Sequence, residues 1–258
     1  MKIFSIDKPI SEIYNNKNGL YRIYHERNTI MKIFTFSFDD GTIQDRRLTE
    51  LFNSYGFKGS FNINSGFFGN RHRIKHIGIE CDHSELSKEE ALSVYNGHEI
   101  CAHTKTHPDL RTLSDEQITD EVEGDRKALE DLFAVPVTGM AYPGGGKPYN
   151  EHVIRVINET TGIRFARTIL SHHRFEMPKS FMEWHPTCDI NDLSALDLAE
   201  DFISMPDEGI SLFYIWGHSF EFDKLDSWDI IEKLCARLSQ ADGLVNMTCG
   251  DVFRTYAK

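Results

Sequence analysis

Phe34-Thr35-Phe36-Ser37-Phe38-Asp39-Asp40-Gly41 decides how the chain is read. Aromatic and β-favouring residues run straight into two adjacent carboxylates and a glycine. The apolar part predicts a buried strand, because such side chains fit a pleated surface. Two neighbouring carboxylates raise one another's pKa and resist burial, and a cation or a proton relieves that cost. Gly41 lets the chain turn sharply beyond them. The competing reading is an ordinary strand followed by an Asp-Asp-Gly turn, and the rest of the chain has to decide.

Downstream, strand and helix signals alternate. Leu48, Leu51, Phe52 and Tyr55 recur at helical spacing before Gly56, and Phe57 to Ile63 is the next strand. Residues 64–83 read as a long loop rich in Gly, Asn, Arg and His. Ser87-Lys88-Glu89-Glu90 and Ser114-Asp115-Glu116-Gln117 are capping boxes that open helices to about Tyr95 and Phe133. Strands are predicted at His98–His103, Val137–Tyr142, Arg164–Leu170, Gly209–Trp216 and Leu244–Thr248. Helices are predicted near 150–160, 195–204 and 227–239, with 171–194 irregular. Alternation of this kind means a parallel sheet with crossover helices. Seven or eight such units predict a closed barrel, with an open doubly wound sheet as the alternative. Met31-Lys32-Ile33-Phe34 repeats the first four residues, so the barrel is expected over 31–258, with 1–30 as an added arm or hairpin.

The chain has 258 residues and a formal net charge of -12, which argues against a nucleic-acid or anionic-membrane partner. No apolar run has the ~18 residues of a membrane span. The first residues carry charge too early for a secretory signal, so a cytoplasmic protein is expected, with export left open. The five cysteines are widely spaced without a Cys-x-x-Cys, and reduced, buried thiols are expected.

Three further stretches carry chemistry. In His98-Glu99-Ile100-Cys101-Ala102-His103-Thr104-Lys105-Thr106-His107-Pro108, the two histidines four apart would lie on one side of a helical turn, within reach of one metal ion. Surface or capping histidines are the alternative. In Ala141-Tyr142-Pro143-Gly144-Gly145-Gly146, glycines after a strand expose backbone N–H groups able to bind an oxyanion, or simply form a flexible turn. In Trp216-Gly217-His218-Ser219-Phe220-Glu221, a histidine ends the most apolar strand, either as a structural residue or as a catalytic acid. Each of these features, like Asp39-Asp40, sits just past the carboxyl end of a predicted strand. In a parallel barrel those ends converge on one face, where active sites form.

Phe38-Asp39-Asp40-Gly41, the His103–His107 pair, the Pro143 loop and His218 occur in the order and spacing of the polysaccharide deacetylases, the NodB-homology enzymes of carbohydrate esterase family 4. The chain resembles that family over roughly residues 31–250. The resemblance implies an α/β fold, a distorted (β/α)7-type barrel. It implies a divalent metal, zinc first, with cobalt, nickel or manganese as alternatives, held by Asp40, His103 and His107. Asp39 would be the general base, Gly144 N–H the oxyanion donor and His218 the general acid. Tyr142, Pro143, Trp184 and Trp216 are expected to touch substrate, with core packing as the alternative for the tryptophans.

The family often carries Arg two residues before the loop proline, where Ala141 stands here, and its Asp-Trp element is unclear. Arg167 is the candidate for the missing cation, against a salt bridge elsewhere. The implied reaction is removal of N-acetyl groups from an amino-sugar oligomer or polysaccharide. An amide hydrolase for a small ureide-type substrate, an O-acetyl esterase and an inactive carbohydrate-binding homologue are the alternatives.

Overall fold

A computed structural model describes residues 31–76 and 78–257; the arm expected over 1–30 lies outside the described residues. In chain order, β1 (Met31–Asp39) leads through α1 (Asp45–Ser54) to β2 (Ser60–Ile63). A hairpin of β3 (Arg73–His76) and β4 (Ile79–Asp82) follows, then α2 (Lys88–Val94) and β5 (Glu99–Ala102). Next come α3 (Asp115–Phe133), β6 (Gly139–Ala141), α4 (Glu151–Thr160), β7 (Phe165–Arg167) and β8 (Cys188–Asp189). The last part holds α5 (Ala195–Ser204), β9 (Ile210–Gly217), α6 (Phe220–Leu225), α7 (Trp228–Gln240), β10 (Leu244–Asn246) and α8 (Cys249–Tyr256).

The main sheet is parallel and runs β7-β6-β5-β2-β1-β9-β8. The order progresses around the ring without the reversal that defines an open doubly wound sheet, so the barrel expectation holds and its alternative does not. β1 is the central stave. β9 pairs along Met31–Phe38 on one side. On the other side β10 takes Lys32–Phe34 and β2 takes Ser37–Asp39. Asp39 therefore emerges between β2 and β9. The ring is distorted because β6, β7 and β8 are two or three residues long. The segment before β8 spans the seam: Trp184 N–H donates to Ala166 O and Trp184 O accepts from Thr168 N, both at 3.0 Å.

β1 shows why the sequence folds this way. Phe34, Phe36 and Phe38 point to one side and pack with Leu48 and Phe52 of α1 and with Phe57, Phe61, Phe222 and Trp228. Alternate residues face the other way, so Ile33 joins Phe165, Leu212 and Tyr214 in the barrel interior. The interior becomes polar toward the carboxyl end, where Ser37 accepts a 2.8 Å bond from Asn62 Nδ2. α8 places Cys249 and Val252 in the same interior cluster as Ile33. Both expected capping boxes form, at Ser87 and Ser114. All five cysteines are free and buried, as expected.

Three elements depart from the sequence reading. The loop expected over 64–83 contains the β3–β4 hairpin, paired in register from Arg73–Asp82 to His76–Ile79. Its strands are only four residues each, with Arg73, Lys75, Glu80 and Asp82 on one face, too short an alternation to stand out from the polar stretch around it. α6 is a six-residue helix, too short for a periodic signal. α8 is preceded by a capping box between Thr248 and Asp251 that was legible in the sequence.

Candidate active site

Asp39 is the last residue of β1 and is almost fully buried. Its Oδ1 accepts from Asn62 Nδ2 at 2.8 Å, across the β1–β2 register. Its Oδ2 is in contact with the Arg167 guanidinium. Arg167 is itself 1% exposed, donates to Thr168 O at 3.1 Å and lies over the Trp216 ring at 4.6 Å. Burial alone would raise the Asp39 carboxyl, but Arg167, with His103 and His218, holds it below the ordinary carboxylate range. The sheet register explains the departure at Ala141: Ala141 and Arg167 are paired neighbours on β6 and β7. A guanidinium absent from one strand thus reaches the site from the next.

Asp40 follows at φ 75°, a left-handed conformation, and its carboxyl shares the neighbourhood of the His103 and His218 Nε2 atoms with that of Asp39. Gly41, at φ 69°, completes the turn; a Cβ there would stand 3.2 Å from Ile63 Cγ2. Burial opposes charge on Asp40, yet the hydrogen bond to His83 and the nearby His218 and His103 hold its pKa well below normal.

His103 follows β5 directly. Its Nδ1 lies 2.9 Å from Ala141 O, which makes that nitrogen the N–H donor and leaves Nε2 as the free lone pair. Nε2 points to Asp40 Oδ1 at 3.5 Å. Burial pushes the imidazole pKa down to about 4, so it is neutral, as a ligand must be. Asp125 on α3 accepts from the His103 backbone N–H at 2.9 Å and fixes the strand end.

The expected helical turn between His103 and His107 is not there. The stretch is a loop in which Thr104 (φ 67°) and His107 (φ 56°) are left-handed and Thr104 Oγ1 accepts from His107 N–H at 3.1 Å. Pro108 removes the N–H a helix would use and restricts His107 as well. The histidines still meet, with ring centroids 4.9 Å apart. Three non-glycine residues with positive φ in one site store strain of roughly 1–3 kcal/mol each, a feature concentrated at functional positions.

Ligand atoms of Asp40, His103 and His107 all lie within 4.8 Å of one another. Two imidazoles and a carboxylate beside a second buried carboxylate form a donor set that suits a divalent transition ion, and the oriented Nε2 of His103 fits the same purpose.

His218, just after β9, sets Nε2 3.9 Å from Asp40 Oδ2 and 4.0 Å from Asp39 Oδ2. Glu221 Oε2 stands 3.5 Å from its Nδ1. Burial works against charge here, but Glu221, Asp40 and Asp39 together push the pKa up to about 9. Gly144 is exposed at φ 90° on the loop after β6.

Two of the residues expected to touch substrate are committed to packing instead. Trp184 is 1% exposed among Phe165, Phe181 and Tyr214, with its backbone sewn into the barrel seam. Tyr142 is equally buried, stacks on Tyr149 and donates its hydroxyl to Met182 O at 2.9 Å. Pro143 is buried beside it. Trp216 does reach the site, between Arg167 and His218, and its buried Nε1 has no hydrogen-bond partner among the described residues. Asn62, Glu221 and His83 belong to the site without having been singled out. Of these, only Glu221 left a local signal, three residues after His218.

A model of the family described as polysaccharide deacetylase matches residues 26–166, over half the chain, and the chain belongs to that family. No curated protein matches it. Among solved structures, the fold is similar to the Xyl-CE4 domain of a multidomain xylanase from the hindgut metagenome of Trinervitermes trinervoides. That pair is 17% identical over 87% of this chain and 91% of that one, with a TM-score of 0.56. A CE4 family pseudoenzyme from Bacillus anthracis, as a mutant with restored activity, is 16% identical over 85% of this chain and 66% of that one, at 0.50. Streptococcus pyogenes deacetylase PplD is 20% identical over 53% of this chain and 56% of that one, at 0.43. The chain thus spans between about half and nine-tenths of these relatives' lengths.

Proposed function

We propose that the protein is a metal-dependent hydrolase that removes N-acetyl groups from an amino-sugar oligomer or polysaccharide. The observation that carries this reading is the meeting of Asp39, Asp40, His103, His107, Arg167 and His218 at the carboxyl end of one barrel. Asp40, His103 and His107 would hold the cation. When bound, it would supply Lewis acidity, polarising the acetyl carbonyl and lowering the pKa of a water.

Asp39 takes the proton of the attacking water at its carboxylate. Arg167 and Asn62 aim that carboxylate and keep it ionised at neutral pH, so it is ready to accept. Gly144 N–H donates to the oxyanion as the carbonyl becomes tetrahedral. His218, kept protonated by Glu221 and the two aspartates, delivers a proton to the nitrogen of the leaving amine. The Trp216 ring packs against both the Arg167 guanidinium and the His218 imidazole and helps to position them.

The test is acetate release from N-acetylglucosamine oligomers by chelator-treated protein with and without added zinc, beside a cyclic ureide and an acetyl ester. Zinc-dependent acetate from the oligomers supports the reading. Turnover confined to the ureide or to the ester would replace it with the corresponding hydrolase. No turnover of any of them, with zinc bound, would point to a binding protein.

A further inference from the structure

The β3–β4 hairpin brings a second donor set beside the first. His83 N–H donates to His72 O at 3.0 Å, which sets the two side chains on neighbouring positions with ring centroids 5.0 Å apart. Glu85 follows, and its backbone is stitched to Asn70 and to Thr42 of the Asp40-Gly41-Thr42 turn. Ligand atoms of His72, His83 and Glu85 all lie within 4.8 Å of one another.

Glu85 is 97% buried, the complement of its 3% exposure, and its Oε2 has no hydrogen-bond partner among the described residues. The buried Nδ1 of His83 has none either. Glu85 Oε1 stands 3.5 Å from His83 Nδ1 and Oε2 stands 3.5 Å from His72 Nδ1. The nearby Arg71 does not serve the carboxylate: it donates to the Glu85 carbonyl and leans toward Glu90. A buried carboxylate oxygen and a buried imidazole nitrogen left without a hydrogen bond are costly. The Nδ1 atoms of His83 and His72 flank the two oxygens of this one carboxylate. A cavity of about 490 Å³ is lined by these three residues together with Asp40 and His107.

We propose that His72, His83 and Glu85 form a second divalent-cation site, coupled to the Asp40 site through His83. Two imidazole nitrogens and a carboxylate suit zinc and neighbouring transition ions, and the shared cavity leaves room for water as a further ligand. A cation on His83 Nδ1 places the proton on Nε2, which lies 3.2 Å from Asp40 Oδ2. His83 Nε2–H then donates to Asp40 Oδ2 and turns Oδ1 toward His103 Nε2. A ligating histidine whose other nitrogen donates to a carboxylate is the common way a metal site is braced. Here the brace belongs to the neighbouring site, so filling either site favours the other.

Metal-free full-length protein titrated with Co²⁺, followed by absorption and by calorimetry, tests this. The expected stoichiometry is two per chain, falling to one in His72→Ala and in Glu85→Gln. His72 is half exposed and Glu85→Gln is isosteric, so both variants keep the fold. In His72→Ala the remaining cation should bind about tenfold more weakly, the usual scale for losing an outer-shell support. Unchanged stoichiometry in both variants overturns the second site. Unchanged affinity of the remaining cation overturns the coupling. His103→Ala addresses the first site separately: loss of one equivalent there, with the second retained, keeps the two readings distinguishable.

Discussion

Replacing Arg167 by methionine isolates the interaction on which the candidate base depends. Arg167 and Asp39 are both almost fully buried and in direct contact. Methionine keeps an apolar side chain of comparable length over Trp216, so the change removes mainly the charge. Asp39 then keeps the Asn62 bond and the His103 and His218 imidazoles at 3.9 and 4.0 Å, against burial and the negative Asp40. Removing one partner of a buried ion pair costs about 3–5 kcal/mol. At roughly 2–4 °C per kcal/mol for a chain of this size, the melting temperature should fall by about 6–20 °C at pH 7.

The pH dependence has a definite sign. With Arg167 present the Asp39 pKa is depressed, so its stabilisation is present above about pH 4 and lost as pH falls through the folded value. Without Arg167, burial dominates and the folded pKa rises, so the variant loses stability as pH increases. The gap between parent and variant should therefore widen from pH 4 to pH 7. Calorimetric melts of metal-free parent, Arg167→Met, Asp39→Asn and the double variant measure it, and the double variant should regain most of the loss. A single Arg167 variant that melts within about 3 °C of the parent at both pH values would refute the pairing as the support of Asp39.

Asp39→Asn should lower acetate release by at least about 10²-fold while metal stoichiometry stays that of the parent; retained turnover would assign the base elsewhere. His218→Gln should slow amide substrates far more than esters with good leaving groups, because only the amine needs a proton to depart; equal losses in a side-by-side rate comparison would count against the acid role. Asp45 is buried, accepts the Tyr95 hydroxyl at 2.5 Å, and has a pKa pushed up to about 7 by burial. A raised carboxylate pKa means stability is full below about pH 4 and lost as pH rises toward 7. Asp45→Asn should therefore stabilise by up to ~4 kcal/mol at pH 8 and by little at pH 4, as urea midpoints would record. Equal effects at both pH values would show that Asp45 does not titrate in that range.

What could be read in the sequence was what short stretches encode. β1 announced itself because alternate phenylalanines pack on α1 and α7 while the opposite face lines the barrel, and its carboxyl end carried Asp39-Asp40-Gly41. His103 and His107 were found by spacing, although a left-handed loop rather than a helical turn joins them. Arg167 was legible from its strand end, but its pairing with Ala141 is a property of sheet register. Asn62 and His83 reach Asp39 and Asp40 from 23 and 43 residues away, with no local pattern to mark them. Trp184 was expected at substrate and instead fills the seam, because an indole fits an apolar wall in either place and only the closure of the ring distinguishes them. The β3–β4 hairpin stayed hidden because its two four-residue strands are too short for their alternation to stand out.

Anomalous diffraction from crystals grown with zinc would be the most direct measurement. A peak is expected about 2.0–2.2 Å from an Asp40 carboxylate oxygen, from His103 Nε2 and from a ring nitrogen of His107. Absence of density among those three side chains, with the Asp40 carboxyl turned away from both imidazoles, would contradict the metal centre on which the proposed chemistry depends.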